Sequence, residues 1–393
     1  MKKFKIIIVV VTVILILVST IKYKDKVKLI YTSLNSFKDE NLAYTFQNTP
    51  KIQPVKVINK GEDTFEFNED YSINLPKKFN FKNNTYLIDD FIEETKTTGL
   101  LIIKDDNIKY EKYYLGGDKN TLFSSNSMGK SFVSALMGIA ISEGYINSVD
   151  EPIGKYIPQF KNTDLESIPI KGCLQMASGI KFDEEKDLSK FSIKTLLGVS
   201  PMKLIAKCGI EEEPFTHRKY LSINTEILGE VITKATGYSL SQYMEEKLWK
   251  KIGVQSNAYW TLNNNKELAM GGLSISLRDY ARFGRLYLNN GIYNKEQIIP
   301  KEWIEQSLDN SSPYSRPDKN NSIENAIGYG YQWWIPDGNE KEFLAIGVYG
   351  QFLYINPLRN IIIVKTSADS NFNKPDYEIK NIEFFRSIVD SIS

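Results

Sequence analysis

The chain has 393 residues, long enough for one large domain or two smaller ones with a sizeable core. Its 49 basic and 48 acidic side chains leave a net charge of +1, so nothing in the charge balance points to nucleic acid or another polyanion. A single histidine, His217, excludes a multi-histidine metal centre, and the two cysteines, Cys173 and Cys208, have neither metal-knuckle nor CxxC spacing.

At the N-terminus Lys2, Lys3 and Lys5 precede an uncharged, β-branched run of 16 residues, 6–21, and Lys22, Lys24, Lys26 and Lys28 follow it. This pattern predicts an N-terminal transmembrane helix, with residues 1–24 as a membrane anchor or signal segment. Val18-Ser19-Thr20 makes a poor cleavage site, so an uncleaved anchor is favoured, and secretion after signal cleavage is the alternative. The expected address is the cell membrane, single-pass, with the catalytic domain outside. Residues 25–75 are polar, rich in Lys and Asn, and carry Pro50 and Pro54; they read as a juxtamembrane spacer. Residues 76–393 read as the globular domain.

Within that domain, 86–95 reads as a short helix, and 99–104 and 108–114 as two strands turning at Asp105-Asp106-Asn107. A helix is predicted from Ser127 to about Glu143, with Phe132, Val133, Leu136, Ile139 and Ala140 at helical spacing. Residues 221–235 and 240–249 read as helices separated by Thr236-Gly237, and Ser276-Leu277-Arg278-Asp279 as a capping box opening a helix to about Asn289. Strands are predicted at 329–335, 342–346, 352–356 and 361–366, followed by a final helix over 377–392. Strand pairs at both ends around a helical insert predict an α/β (α+β) fold, with an antiparallel sheet flanked by helices and an all-helical lobe.

Ser127 and Lys130 stand three apart at the start of a helix, so both side chains share a face. A serine hydroxyl needs a neighbouring base to become a nucleophile, and a lysine whose pKa is lowered by burial can be that base. The helix start adds backbone N–H groups that favour a developing oxyanion. The stretch Met128-Gly129-Lys130-Ser131 also matches the end of a phosphate-binding loop, GxxxxGK[ST], but Ser124 stands where that loop requires glycine. A capped helix start with a surface lysine is the plain structural alternative. With one histidine in the chain, a Ser-His-Asp triad would have to use His217, which favours a Ser-Lys pair.

Three motifs in this order resemble the serine β-lactamase and penicillin-binding-protein-like hydrolases, including class C β-lactamases, related esterases and the 6-aminohexanoate-dimer hydrolases. They are Ser127-Met128-Gly129-Lys130 after the hairpin strand Gly99-Leu100-Leu101-Ile102-Ile103, Tyr220-Leu221-Ser222 before Ile227-Leu228-Gly229, and Ala345-Ile346-Gly347-Val348 near the end. The resemblance spans about four fifths of the chain. It implies Ser127 as nucleophile, Lys130 as base and Tyr220 as the acid/base that returns a proton to the leaving group. Ser222 would hydrogen-bond to nucleophile and lysine, Gly347 would let substrate approach the strand edge, and the Val348 N–H would join that of Ser127 as the oxyanion hole. The family carries a cation or aromatic ring where this chain has Ala345, which predicts weak handling of substrates with a carboxylate beside the scissile bond.

The expected function is an exported serine hydrolase cleaving an ester or amide through a Ser-Lys-Tyr acyl-enzyme. The alternative is a penicillin-binding or β-lactam-interacting cell-wall protein: a D,D-peptidase, a β-lactamase or a non-turnover sensor. The expected partners are a small-molecule or cell-envelope ester or amide and the membrane, with no nucleic acid. No metal or cofactor is expected. Asp183, Glu184 and Glu185 read as a solvated loop, and Trp333 and Trp334 as core.

Overall fold

A computed structural model describes residues 35–317 and 326–392. The expectation of an N-terminal transmembrane helix is corrected here: no helix among the described residues is long and apolar enough to cross a membrane. The run 6–21 that prompted it lies outside the described residues. The anchor, the membrane as a partner and the single-pass address are therefore withdrawn.

Part of the stretch read as a spacer is built into the fold. Helix α1 (Asp39–Ile52) buries Leu42, Thr45, Phe46 and Thr49 despite Pro50, with a kink at Asn48 where the backbone leaves helical geometry. Residues Val55–Ile58 form a strand that pairs antiparallel with Ala258–Asn263. Ile58 and Phe67 join the main core. Proline and the polar residues around it break the helical signal in the sequence, whereas the buried face of α1 is set by tertiary contacts.

The large sheet contains β1 (Asn68–Glu69), β2 (Thr97–Lys104), β3 (Asn107–Tyr113), β4 (Gly328–Tyr329), β5 (Trp334–Ile335), β6 (Phe343–Gly347), β7 (Gln351–Asn356) and β8 (Ile361–Ser367). Their order is β4-β5-β6-β7-β8-β2-β3-β1. All pairs are antiparallel except β1 on β3, which is parallel, so the sheet is mixed where a purely antiparallel one was expected. The predicted hairpin turn is present, with Asp105 and Asp106 both at positive φ, 52° and 60°. The single strand expected over 329–335 is instead two short strands with a bend between them, where Gln332 sits at φ 63°.

Strand β2 lies inside the sheet and is buried from Thr97 to Ile103. Its side chains alternate between two cores: Leu101 and Ile103 face one, Leu100 and Ile102 the other. Each such aliphatic side chain stabilises the fold by roughly 1.5–3 kcal/mol when fully buried. The first core lies between the sheet and the helical lobe, which includes α2 (Lys130–Ser142), α3 (Glu184–Leu196) and α4 (Ser222–Thr236). Helix α4 ends at Gly237, whose φ of 78° closes it in the left-handed conformation glycine accepts most readily. The second core lies under the C-terminal helix α5 (Tyr377–Ser391), through Phe384, Phe385 and Ile388.

Candidate active site

The short strand Phe123–Ser124 leads into a 3-10 turn, Asn126–Gly129, and α2 begins at Lys130. Every residue of α2 from Lys130 to Ala140 is buried, so the helix is a fixed post. Ser127 lies on the turn at its head, half-buried, and lines a cleft of about 660 Å³, a size typical of small-molecule sites. On the far side of the cleft, β6 runs up to the turn. A Cβ on Gly347 would stand 2.5 Å from the Ser125 carbonyl oxygen and 3.0 Å from the Met128 nitrogen, so only glycine permits this approach. Asn126 Nδ2 donates to the Val348 carbonyl at 3.0 Å and ties strand end to turn.

Lys130 is 2% exposed. Its Nζ donates to Ser127 Oγ at 2.8 Å, Ser222 Oγ at 3.2 Å and the Met270 carbonyl at 2.6 Å. The carbonyl can only accept, so it takes an N–H in either charge state of the amine. The two hydroxyls can donate or accept. A neutral Lys130 can therefore keep its N–H on Met270 and turn a lone pair to the Ser127 hydroxyl. Burial pushes the Lys130 pKa down to about 8, against the pull of Glu184 and Glu226, which favour its charged form.

Glu226 lies on α4, four residues after Ser222, and is 8% exposed. Burial raises its pKa to about 7, offset in part by the Met270 N–H and by Lys130. Its Oε1 accepts the Met270 N–H at 2.9 Å, while the carbonyl of the same residue accepts from Lys130. Met270 thus links the buried carboxylate to the amine. Glu184 Oε2 accepts the Ser222 N–H at 2.9 Å, which places this carboxylate in the cleft and not in a solvated loop. Glu185 also lines the cleft, while Asp183 caps α3 by accepting from the Lys186 N–H.

Tyr220 and Ser222 both line the cleft. The Tyr220 ring stacks on Trp334 (centroids 5.5 Å apart, planes at 22°) and meets Tyr329 edge-on at 6.1 Å. Lys130 Nζ lies 5.3 Å from the centroid of the Tyr220 ring. The two tryptophans divide by alternation: Trp333 is in the core and Trp334 is in the cleft wall.

Ala345, Arg218, Lys219 and His217 lie outside the cleft lining. Ala345 is 1% exposed and pairs with Leu353 in the core; the cleft is lined by its neighbours Ile346, Gly347 and Val348. Arg218 donates to the carbonyls of Ser315 and Ile327, and Lys219 to Glu211. The lysine that does line the cleft is Lys374, facing a site that also holds Glu184, Glu185 and Glu378. His217 is exposed and bonds Glu212 at 2.7 Å, outside the cleft. Cys173 and Cys208 are both free thiols.

Comparison with known proteins now decides the family: the family model described as Beta-lactamase matches residues 87–381. The chain belongs to the Beta-lactamase family. Among curated members, it is similar to a 6-aminohexanoate-dimer hydrolase from Paenarthrobacter ureafaciens, at 25% identity over 70% of this chain and 74% of that one. It is also similar to a teichoic acid D-alanine hydrolase from Staphylococcus aureus, at 26% identity over 67% and 72%. Among solved structures, a Bacillus anthracis protein assigned to the 6-aminohexanoate-dimer hydrolases superposes with a TM-score of 0.80 at 23% identity, covering 91% of this chain and 96% of that one. A class C beta-lactamase does so with a TM-score of 0.58 at 16% identity, covering 78% and 94%. At these identities the two structures show the fold alone. Beta-lactamase membership makes this chain a serine hydrolase of the acyl-enzyme type.

Sequence reasoning passed over four groups in this Beta-lactamase-family site: Glu226, the Met270 main chain, Asn126 and Lys374. Only Glu226 left a usable signal, because its i, i+4 spacing from Ser222 puts a carboxylate on the same face of a helix otherwise rich in apolar residues.

Proposed function

We propose that the protein hydrolyses an ester or amide bond, with Ser127 as nucleophile, Lys130 as general base and Tyr220 as the acid that protonates the leaving group. Lys130 takes the proton as Ser127 Oγ adds to the carbonyl carbon. The N–H groups of Ser127 and Val348 hold the oxyanion. The tetrahedral species then expels its leaving group with a proton from Tyr220, which Lys130 replaces with the one it took from Ser127; water adds to the acyl carbon, giving Lys130 a proton that returns to Ser127 Oγ as the acid leaves. The observation that carries this reading is the 2.8 Å contact between the Ser127 hydroxyl and a buried lysine whose pKa is lowered toward neutrality. Ser222, bonded to the same amine, supports Lys130's orientation.

The charges of the cleft support a preference among substrates. Among the described residues three carboxylates and one lysine line it, and the strand position where related enzymes carry a cation is a buried alanine. A substrate carboxylate beside the scissile bond meets no cation on that strand, and Lys374 shares the cleft with three carboxylates that compete for it. A charged hydrogen bond of that kind is worth ~1.5–3 kcal/mol, about one to two decades in rate. Neutral short-chain esters are therefore expected to be better substrates than β-lactams. The test compares kcat/KM for p-nitrophenyl butyrate and nitrocefin. The ester is expected to lead by ~10-fold or more, and nitrocefin turnover at least as efficient as ester turnover would reverse the preference.

Tyr220→Phe should lower kcat by ~10²-fold or more if the phenol moves a proton in the transition state, the usual scale of general acid–base catalysis. The Phe ring keeps the stacking on Trp334, so circular dichroism and Tm should stay close to wild type. Full kcat in this variant would assign the proton transfer to another group.

A further inference from the structure

Helix α1 lies outside the residues that match the family, yet it touches both backbone segments from which the oxyanion donors come. On one side, the buried Thr49 Oγ1 hydrogen-bonds Ser124 Oγ at 2.6 Å. Ser124 immediately precedes Ser125, which is fastened to Leu273 through main chain and side chain and opens the turn carrying Ser127. On the other side, the buried ring of Phe46 packs on Tyr349 at 5.2 Å, and Leu42 joins the same cluster. Tyr349 is the residue after Val348.

Tyr349 needs such support. Its φ of 64° is in the left-handed region, which a bulky aromatic residue enters only when its surroundings enforce it. Phe46 and Phe37 of the N-terminal segment hold its ring from one quarter and Phe372 holds it at 4.5 Å from another. Gln351 Nε2 donates to the Tyr349 carbonyl at 3.2 Å, and Asp369 N–H donates to the same carbonyl at 3.2 Å. If this turn relaxes, the Val348 N–H leaves its aim.

We propose that Thr49 and Phe46 of α1 are positioning residues for the oxyanion hole, setting the Ser127 and Val348 N–H groups relative to each other from outside the catalytic cleft. The proposal rests on the acyl-enzyme reading above. An oxyanion hole acts only when its donors are fixed before charge develops, so a small displacement is felt in the transition state more than in substrate binding.

The test uses the full chain with Phe46→Ala, Thr49→Val and the milder Phe46→Leu. kcat and KM are measured for p-nitrophenyl butyrate, together with Ki for an aryl trifluoromethyl ketone, whose carbonyl carbon the serine oxygen attacks to give a hemiketal oxyanion. Loss of one donor in such a site costs ~10²–10³-fold in kcat. A displaced donor should cost ~10-fold in kcat, with KM within ~2-fold. Ki should rise in step with the loss of kcat/KM across the variants, and Phe46→Leu should recover most of both. Folded variants with wild-type kcat and Ki would overturn the proposal, as would a fall in kcat with Ki unchanged. Should Phe46→Ala fail to fold, the correlation is read on Thr49→Val and Phe46→Leu. A wild-type protein that forms no adduct at Ser127 would instead sink the acyl-enzyme reading itself, which separates the two failures.

Discussion

Ser127→Ala should reduce hydrolysis of p-nitrophenyl butyrate to the level of the uncatalysed background. Removing the nucleophile from a covalent mechanism costs on the order of 10⁴–10⁶-fold in kcat, because the neighbouring groups have nothing left to activate. The substitution deletes one half-buried hydroxyl at the head of a helix buried from Lys130 to Ala140, so the fold should survive it. Lys130 would keep its bonds to Ser222 and Met270. Burst amplitude and steady-state rate should both vanish while Tm changes little. A variant retaining even a tenth of wild-type kcat would place the nucleophile elsewhere.

Lys130 gives the second large effect, and its sign follows from burial. The base must be neutral to accept the Ser127 proton. With its pKa lowered to about 8, only about a tenth of the amine is neutral at pH 7. kcat/KM should therefore rise with pH through a limb near 8 and level off above it. An ordinary lysine near 10.5 would place that limb more than two pH units higher. Lys130→Ala should lose ~10²–10⁴-fold in kcat and lose the limb as well. Glu226 and Glu184 both favour the charged amine, so Glu226→Gln should shift the limb downward, because it removes a carboxylate while leaving an amide oxygen to accept the Met270 N–H. A pH-independent profile in the wild type, or an unshifted limb in Glu226→Gln, would contradict this assignment of charges.

Much of this arrangement is legible in the chain. The Ser127–Lys130 spacing places two side chains on one helical face, and the apolar run of β2 marks a strand buried on both sides. Period-two alternation places Gly347 and Ala345 on one face of β6, though not which of them meets the turn that carries Ser127. What the chain hides is of three kinds. Main-chain groups such as the Met270 carbonyl carry no side-chain signal. Tertiary contacts override local propensity in α1, where Pro50 and a run of amides argue against the helix that Leu42 and Phe46 hold in place. Charges from two distant segments, Lys374 and Glu378 from one and Glu184 and Glu185 from the other, share a cleft only once the sheet and lobe are assembled.

The central claim is a covalent intermediate on one serine, and adduct mapping tests it most directly. The wild-type protein is treated with a fluorophosphonate, digested and sequenced by mass spectrometry, beside Ser127→Ala handled identically. The expected result is one phosphonylated residue, Ser127, in the wild type and none in the variant. A label on a different serine, or no label on protein that turns over p-nitrophenyl butyrate, would contradict it.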